Sequence, residues 1–417
     1  MIAQKNSTFL IHCIIRPWMG TALLVIATSL LVLWTGTDLR FPDEIDYAGL
    51  ADSLRGGNGF RMPDGALTAY RPPGFPFFLW AAAHTGHEIL TAKLLQALLL
   101  GATALVCSDI LKRLGARFTA LPAWMILTYP VLLFTAATLY PQTLGSFLFV
   151  CVLWLMFFHS SLISALLAGL LLGFLILNIP AFMLTAPILA CVLLAQSTLS
   201  FRHRILRVSF LTVFALAVVA PWTYRNYKVF ETFVPVSTNS GLNLFLGNSP
   251  GTTPGSGIRV DRSHLDEDLD NLPEIERDRR YRQLAVDWIR THPRKAFRLY
   301  LGKALHYFHF TNRLATASES GIGRDVIMLL TWGPLLTLFL IRPLFWKRFP
   351  FHPFERAIWI LVVSNVFLSA IFFTRIRFRI PFDVLIILAN AFFFNRLLES
   401  LPVWKYTEPL EKSHEGR

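Results

Sequence analysis

Charge is scarce in this chain, and the scarcity excludes most soluble architectures. Only 16% of its 417 residues are charged, while 54% are hydrophobic. Soluble domains are about one quarter charged, so this composition fits a polytopic membrane protein better than one large soluble core. Cysteine is scarce as well. Cys13, Cys107, Cys151 and Cys191 lie far apart, in or beside apolar segments, and no CxxC pair occurs. This pattern supports neither a zinc site nor a disulfide framework; the thiols read as small packing residues. Gly56-Gly57-Asn58-Gly59 is not followed by Lys-Ser or Lys-Thr, so it is a turn rather than a phosphate loop, and ATP-driven transport has no motif to support it. No nucleic-acid motif accompanies the net charge of +13. That charge is assigned to membrane topology and anionic headgroups, with no nucleic acid as partner. No internal repeat, low-complexity tract or convincing cleavage site before Asp43 is found, so the run from about Trp18 to Trp34 reads as a retained helix.

Long apolar runs are what the chain has in abundance. About ten segments approach the roughly 20 residues that a span needs. They cover 17–36, 88–111, 118–138, 141–158, 161–178, 180–198, 206–222, 323–341, 357–374 and 380–397. The fifth and sixth, separated by Asn178-Ile179-Pro180, read either as a tight hairpin or as a partly re-entrant pair. The fold class expected is therefore an all-α polytopic membrane protein. With ten spans, Lys5, Arg16, Lys112, Arg113, Arg117, Arg202, Arg204, Arg207, Arg342, Lys347, Arg348, Arg356, Arg396 and Lys405 all fall on one side. By the positive-inside rule that side is the cytoplasm, and both termini lie there.

Three regions follow: 1–222 with its first outward loop at 37–87, a second outward segment at 223–324, and 325–417 with the last spans and a cytoplasmic tail. In the first loop, Asp43 to Leu54 has the pattern of an amphipathic helix stopped by Gly56-Gly57. Phe75 to Ala83 is apolar but too short to span, which suits the interface. In the second, an amphipathic helix is expected from about Arg282 to Phe308, interrupted at His292-Pro293.

Three constellations carry chemistry. Asp43, Glu44 and Asp46 follow the first span directly. They read as a general base with a helper or metal ligand, its pKa raised by the low-dielectric boundary, or as a helix cap with Asp43 at the cap and Glu44 and Asp46 in the first turn. About 25 residues later comes Arg71, stiffened by Pro72-Pro73, a bidentate partner for phosphate or a residue snorkelling to headgroups. Arg375, Arg377 and Arg379 then break the charge rule in a short outward turn. If that turn is extended, all three share one side and form an anion clamp. Asp266-Glu267-Asp268-Leu269-Asp270 lacks the completing residues of a calcium loop and reads as a solvated face. His306 and His309 read as interfacial rather than as a metal pair.

Taken in order, these motifs resemble the GT-C glycosyltransferases, in the branch of the lipid-A aminoarabinose transferase and the protein O-mannosyltransferases. The matching residues are Phe41-Pro42-Asp43-Glu44-Ile45-Asp46-Tyr47, Gly57-Asn58-Gly59-Phe60, Arg71-Pro72-Pro73, Pro221-Trp222-Thr223-Tyr224-Arg225-Asn226, Gly241-Leu242-Asn243, Gly247-Asn248 and Arg377-Phe378-Arg379-Ile380-Pro381-Phe382. The resemblance implies a polyprenyl-phosphate sugar donor, an inverting displacement at an outward-facing site, and a bacterial cytoplasmic (inner) membrane location. It implies Asp43 as the catalytic carboxylate with Glu44 beside it, and Arg71 near the donor phosphate; the charge pattern itself adds Arg375, Arg377 and Arg379 as expected phosphate ligands. Tyr47, Tyr70, Arg225 and Asn226 are candidate substrate contacts. Related chains often carry an acid after Tyr-Pro, whereas here Tyr140-Pro141 is followed by Gln142, so a second acid is not expected there and a divalent cation stays an open question. The acceptor is a lipid, a glycan or a protein. The alternatives to an enzyme are a lipid-linked glycan flippase or exporter, which calls for ionisable groups inside several spans, and a non-catalytic envelope-complex subunit.

Overall fold

The computed structural model describes residues 16–82, 86–196, 199–263, 265, 269, 271–311 and 321–401. Lys5, Cys13, Lys405, the acidic residues Asp266, Glu267, Asp268 and Asp270, and the tail beyond 401 lie outside the described residues. Helix dominates, and among the described residues the only β-pairing is an isolated bridge between Arg61 and Leu67.

The first span is α1 (Pro17–Thr35), followed by α2 (Pro42–Arg55) and the short α3 (Gly74–Ala82). Then come α4 (Glu88–Arg113), α5 (Leu121–Leu127), α6 (Pro130–Ala136), α7 (Gln142–Phe158), α8 (Leu162–Asn178), α9 (Phe182–Leu194) and α10 (Phe201–Phe230). The second loop segment carries α11 (Ser240–Gly247), α12 (Glu274–Thr291) and α13 (Pro293–His306); the chain closes with α14 (Ile322–Ile341), α15 (Pro353–Ile371) and α16 (Ile376–Glu399). Six helices are long and apolar enough to cross a membrane: α1, α4, α10, α14, α15 and α16, with α7, α8 and α9 apolar but shorter. The chain is a multi-pass helical membrane protein.

Every expected span coincides with helix except one. Segment 118–138 divides into α5 and α6 because Pro130 has no N–H to donate and forces Tyr129 out of the helical region, to φ −110 and ψ 88. The pair 161–178 and 180–198 becomes α8 and α9, broken where Ile179 turns extended at φ −136, ψ 95. At 13 residues α9 reaches roughly 20 Å, short of the roughly 30 Å hydrocarbon core. In the second loop segment helix begins at Glu274 rather than near Arg282, and it breaks at His292-Pro293 as the proline requires.

Local signals explain α2, the helix that matters most. Its N-cap is Phe41 and Pro42 occupies the first helical position, so the cap lies upstream of Asp43, where it was expected. Proline suits that position because the N–H it lacks would be orphaned anyway. Glu44 reaches back to the backbone N–H groups of Arg40 and Phe41 at 2.8 and 3.0 Å. At the far end Gly57 takes φ +73, which stops the helix.

The bundle is built around α16, whose residues from Arg379 to Phe393 are buried without a break. One hydrophobic cluster runs from Leu24 of α1 through α4, α7 and α8 to Phe392 of α16. A second, smaller one joins Phe245, Val260, Tyr281 and Ala285 to Phe373, so the second loop segment is packed onto the end of α15. Lys303 strengthens that junction, its buried ammonium donating to Gly247 O, Asn248 Oδ1 and Phe372 O at 2.9, 3.2 and 2.7 Å. At the other end of α15, roughly 27 Å away by helix rise, Arg342 and Glu355 form a buried bidentate pair at 2.6 and 2.8 Å.

Helices α8 and α10 approach most closely through two glycines four residues apart on one face. A Cβ on Gly169 would lie 2.7 Å from Leu211 O, and one on Gly173 would lie 2.6 Å from Ala215 O. Neither neighbour can yield, since both are helical backbone. Gly173→Leu is therefore expected to destabilise the protein by about 1–3 kcal/mol or more, the cost of overpacking. Thermal unfolding of the detergent-purified variant measures this, and an unchanged midpoint would contradict the packing described.

Candidate active site

The two loop segments meet at one end of the bundle, beside the first turn of α16. Glu274 joins them: its carboxylate accepts from Thr68 Oγ1, Ala69 N and Thr238 Oγ1 at 2.7, 2.9 and 2.5 Å. The Arg71-Pro72-Pro73 turn is seated by Gly74, where a Cβ would come within 2.6 Å of Asn178 N at the end of α8. Only glycine permits this approach, and it fixes where Arg71 starts.

Arginines from opposite ends of the chain converge on Asp43. Arg71 Nη2 donates to Asp43 Oδ1 at 2.7 Å, and Arg377 Nη1 donates to Asp43 Oδ2. Asp46 stands on the same face of α2, one turn further, and accepts from Arg71 Nε and Nη2 at 2.9 and 2.6 Å. Asp46 was expected to serve only as part of the first helical turn; instead it grips Arg71 from a second side. Tyr47 and Tyr70 flank the guanidinium, with ring centroids 5.6 and 5.0 Å from Cζ. Tyr47 is buried, and burial pushes its hydroxyl up to about 12. Asp43 keeps 17% of its side chain exposed, so the centre is sheltered but open to a ligand.

Burial alone would raise the Asp43 pKa, as the position at a low-dielectric boundary led one to expect. The charges and hydrogen bonds of Arg377 and Arg71 outweigh it and hold the carboxyl below its ordinary value. Arg71, correspondingly, is held above its ordinary value by Asp43 and the neighbouring acids and phenols despite its own desolvation.

Glu44 does not face this centre. It is 1% exposed, and its carboxylate is committed to backbone amides: Arg40 N, Phe41 N and, at 2.8 Å, Leu139 N. This geometry makes it a brace between α2 and the α6–α7 turn rather than a helper of Asp43.

The three arginines of the 375–379 run part company. The expected extended turn is helical from Ile376, and residues two apart on a helix diverge by roughly 200°. Arg377 turns to Asp43. Arg379 is fully buried: it donates to Asp383 Oδ2 at 3.1 Å, Tyr129 Oη at 3.2 Å, and the carbonyls of Tyr307 and His309 at 3.0 and 2.6 Å. Its guanidinium also lies over Trp332, 3.9 Å from the ring centroid. It staples α16 to the end of α13 and cannot join an anion clamp. Arg375 caps α16 with extended backbone, at φ −145, ψ 154. Among the described residues its guanidinium has no hydrogen-bond or ion-pair partner, and burial, with Arg377 nearby, pushes it down to about 10, still charged at neutral pH.

Arg225 and Asn226 belong to a joint beside the centre. Arg225 donates to Thr68 O and Phe60 O at 2.7 and 3.2 Å and stacks on Trp222, while Asn226 Nδ2 bonds Val234 O at 3.1 Å. His306 and His309 stack with centroids 4.7 Å apart, and no group of three or more His, Cys, Asp or Glu able to hold a metal occurs among the described residues. A cleft of about 1000 Å³ separates the first loop from α12; Tyr70, Phe230, Leu242, Arg279 and Tyr281 line it, and Tyr70 is the residue it shares with the surroundings of Arg71.

Asp383 and Tyr129 escaped the sequence reading, and the grip of Asp46 on Arg71 escaped it too. Asp46 was signalled by its spacing from Asp43. Asp383 was signalled by its place inside an apolar span, where an acid is functional or paired by default. Tyr129, buried against both Asp383 and Arg379, carried no signal of its own.

These features define a class: a multi-pass helical membrane protein with a carboxylate–arginine centre at one end of its bundle. No family model matches the chain, and no curated protein matches its sequence. Among solved structures, ArnT from Cupriavidus metallidurans bound to undecaprenyl phosphate is similar at 16% identity and a TM-score of 0.45, over 91% of this chain and 78% of that one. Its apo state is similar at 16% identity and a TM-score of 0.40, over 90% and 78%. A likeness this loose carries no weight for the reaction, which rests on the chain's own residues.

Glu44→Gln places amide hydrogens against backbone donors and is expected to cost about 2 kcal/mol of stability. Full stability with lost activity would instead reveal a catalytic helper. The Asp43 ion pairs carry a pH signature. A depressed carboxyl contributes stability that is complete above its unfolded pKa of about 3.9 and is lost as pH falls through the lower folded value. The stability gap between wild type and Asp43→Asn should stay constant from about pH 8 to 5 and shrink only below about 4. Thermal unfolding across that range checks it; a gap that closes near neutrality would refute the pairing.

Proposed function

We propose that this protein is a membrane glycosyltransferase that moves a sugar from a polyprenyl-phosphate donor to an acceptor, with inversion at the anomeric carbon. The observation that carries this reading is Asp43 held by Arg71 and Arg377 while Arg375 stays unpaired beside them. Such a centre offers a base and a binding place for a phosphate within one cluster. Undecaprenyl phosphate, the lipid bound in the ArnT crystal structure, is the carrier to test.

In this reading the lipid tail lies against the bundle and its phosphate meets Arg375 and Arg377. The acceptor, reaching the centre along the cleft behind Tyr70, attacks the sugar. Its O–H or N–H proton passes to Asp43, the new bond to the anomeric carbon forms, and the bond from that carbon to the phosphate oxygen breaks with its electron pair. Asp43 loses a negative charge as the leaving phosphate gains one, so the arginines keep a constant charge to neutralise. A carboxylate clamped by two guanidiniums is a weak base. It strengthens once the phosphate draws Arg377 away, which ties base strength to donor occupancy. By the positive-inside rule the Asp43 end faces outward, and the family resemblance makes that the periplasmic side of a bacterial inner membrane.

Transport is the less favoured reading. The one buried ion pair within the span α16, Arg379 with Asp383, is locked by Tyr129 and two carbonyls and offers no path for a charged headgroup.

Asp43→Asn in proteoliposomes supplied with an undecaprenyl-phosphate-linked sugar should lower transfer by at least about 100-fold, the usual scale of a lost general base. Transfer within tenfold of wild type would remove Asp43 from the mechanism.

A further inference from the structure

Among the described residues Lys303 meets no carboxylate, although it is only 1% exposed. Its three acceptors are Gly247 O, Asn248 Oδ1 and Phe372 O, and each is fixed in place. Two are backbone carbonyls. The third belongs to an amide whose Nδ2 already donates to Leu244 O and Ile371 O at 2.9 and 2.8 Å, so it cannot flip. Three acceptors take three hydrogens, and only the protonated amine has three. A neutral amine would bring two hydrogens and a lone pair that repels whichever oxygen it faces. Burial disfavours the charge and pushes Lys303 down to about 8, against about 10.4 for a lysine in water.

The grip falls on the backbone that leads into α16. Lys303 holds Phe372 O, Asn248 holds Ile371 O, and Thr374 Oγ1 donates to Pro254 O at 3.3 Å. A Cβ on Gly247 would lie 2.2 Å from Phe372 O, so the end of α11 is in close contact there. Arg375 caps α16 three residues after Phe372, and Arg377 reaches Asp43 from its first turn. Burial is the sole cause of the lysine's shift. Helix α11 carries no ionisable side chain, and Glu355 and Arg356 of α15 lie in its first turn, at the opposite end. On α13, Tyr300 Oη donates to Phe367 O at 3.1 Å, Tyr307 Oη accepts from Asn365 at 2.7 Å, and His306 packs against Gly255. Along the two connecting segments the next charged groups are Arg375 and Arg259.

We propose that Lys303 is a positioning residue for the transfer: its ammonium fixes the backbone at 371–374 and so aims Arg375 and Arg377 at the Asp43 centre, and the aim holds only while the proton is on. This rests on the glycosyltransferase reading above and adds to it a residue that touches neither donor nor acceptor. The linkage has a definite sign. Between about pH 8 and 10.4 the folded lysine is neutral while the unfolded one stays charged, so the folded state binds fewer protons and global stability rises with pH. Positioning is lost over the same range. Stability and local order therefore move in opposite directions, which separates Lys303 from a residue that merely supports the fold.

Hydrogen exchange of the full-length protein in detergent reads this contact without any substrate. In wild type, exchange across 371–378, corrected for the intrinsic rate, should rise about tenfold from about pH 7 to 9.5, while 353–361 of α15 stays flat. Lys303→Met should exchange fast at both values, and Lys295→Met, on the exposed face of α13, should follow wild type. In proteoliposomes with an undecaprenyl-phosphate-linked sugar, Lys303→Met should lower transfer about tenfold near pH 7, and its deficit relative to wild type should close by about pH 9.5. Flat exchange in wild type would overturn the contact's dependence on the proton, whether or not Lys303→Met folds. Fast exchange in Lys303→Met with wild-type transfer would overturn the positioning role, and a deficit that persists at high pH would refute its control by the proton. All three leave the glycosyltransferase reading standing. Absence of transfer in wild type would end that reading, and the role of Lys303 with it.

Discussion

Asp43 shared between Arg71 and Arg377 is the interaction on which this end of the molecule depends. Its partners lie 28 and 334 residues away in sequence, one on a proline-stiffened loop and one on the first turn of the last helix. To bring them together the chain must set α2 across the end of the bundle, lay the Arg71 turn against α8, and bury α16 at the centre. Each step has a visible device: Glu44 bracing α2 to Leu139 N, Gly74 admitting the Asn178 backbone, and Arg379 stapling α16 through Asp383, Tyr129 and the carbonyls after α13. Two of the residues singled out in sequence, Glu44 beside the catalytic carboxylate and Arg379 at the donor phosphate, thus turn out to hold in place the ones that remain candidates.

Electrostatic economy links the fold to the proposed chemistry. Charges removed from water are costly unless paired, and this chain pairs nearly all of those it buries. Arg342 meets Glu355, Arg379 meets Asp383, and Lys303 meets three neutral acceptors. Against that rule Arg375 stands out. The departure lies beside Asp43, a largely sheltered carboxylate whose acidity two guanidiniums increase, where binding an anion would both satisfy Arg375 and release the base. One ligand can therefore do two things at once because the cations are shared.

The sequence made a good part of this legible. Apolar run lengths located the helices, with the exception of segment 118–138, where Pro130 outweighs the hydropathy. The Pro42–Asp43–Glu44 pattern and the glycines after Arg55 marked α2 to within a residue or two. The three arginines in a short loop were rightly noticed as a conflict with the topology signal. Their shared direction was not, since it assumed an extended backbone where the chain is helical. The direction of the Asp43 shift was also misjudged, because its two neighbouring cations are invisible to local sequence.

By itself, then, the sequence determined the membrane-spanning character, the helix positions and the clustering of ionisable residues into a few short segments. These follow from hydropathy, from proline and glycine, and from charge pattern, all of which act over a handful of residues. Tertiary structure alone decided which carboxylate meets which guanidinium, which arginine is left over, and which acid only braces the backbone. Those outcomes depend on side-chain direction and on contacts across hundreds of residues, and a step of two helical positions is enough to turn Arg377 toward the site and Arg379 into the core.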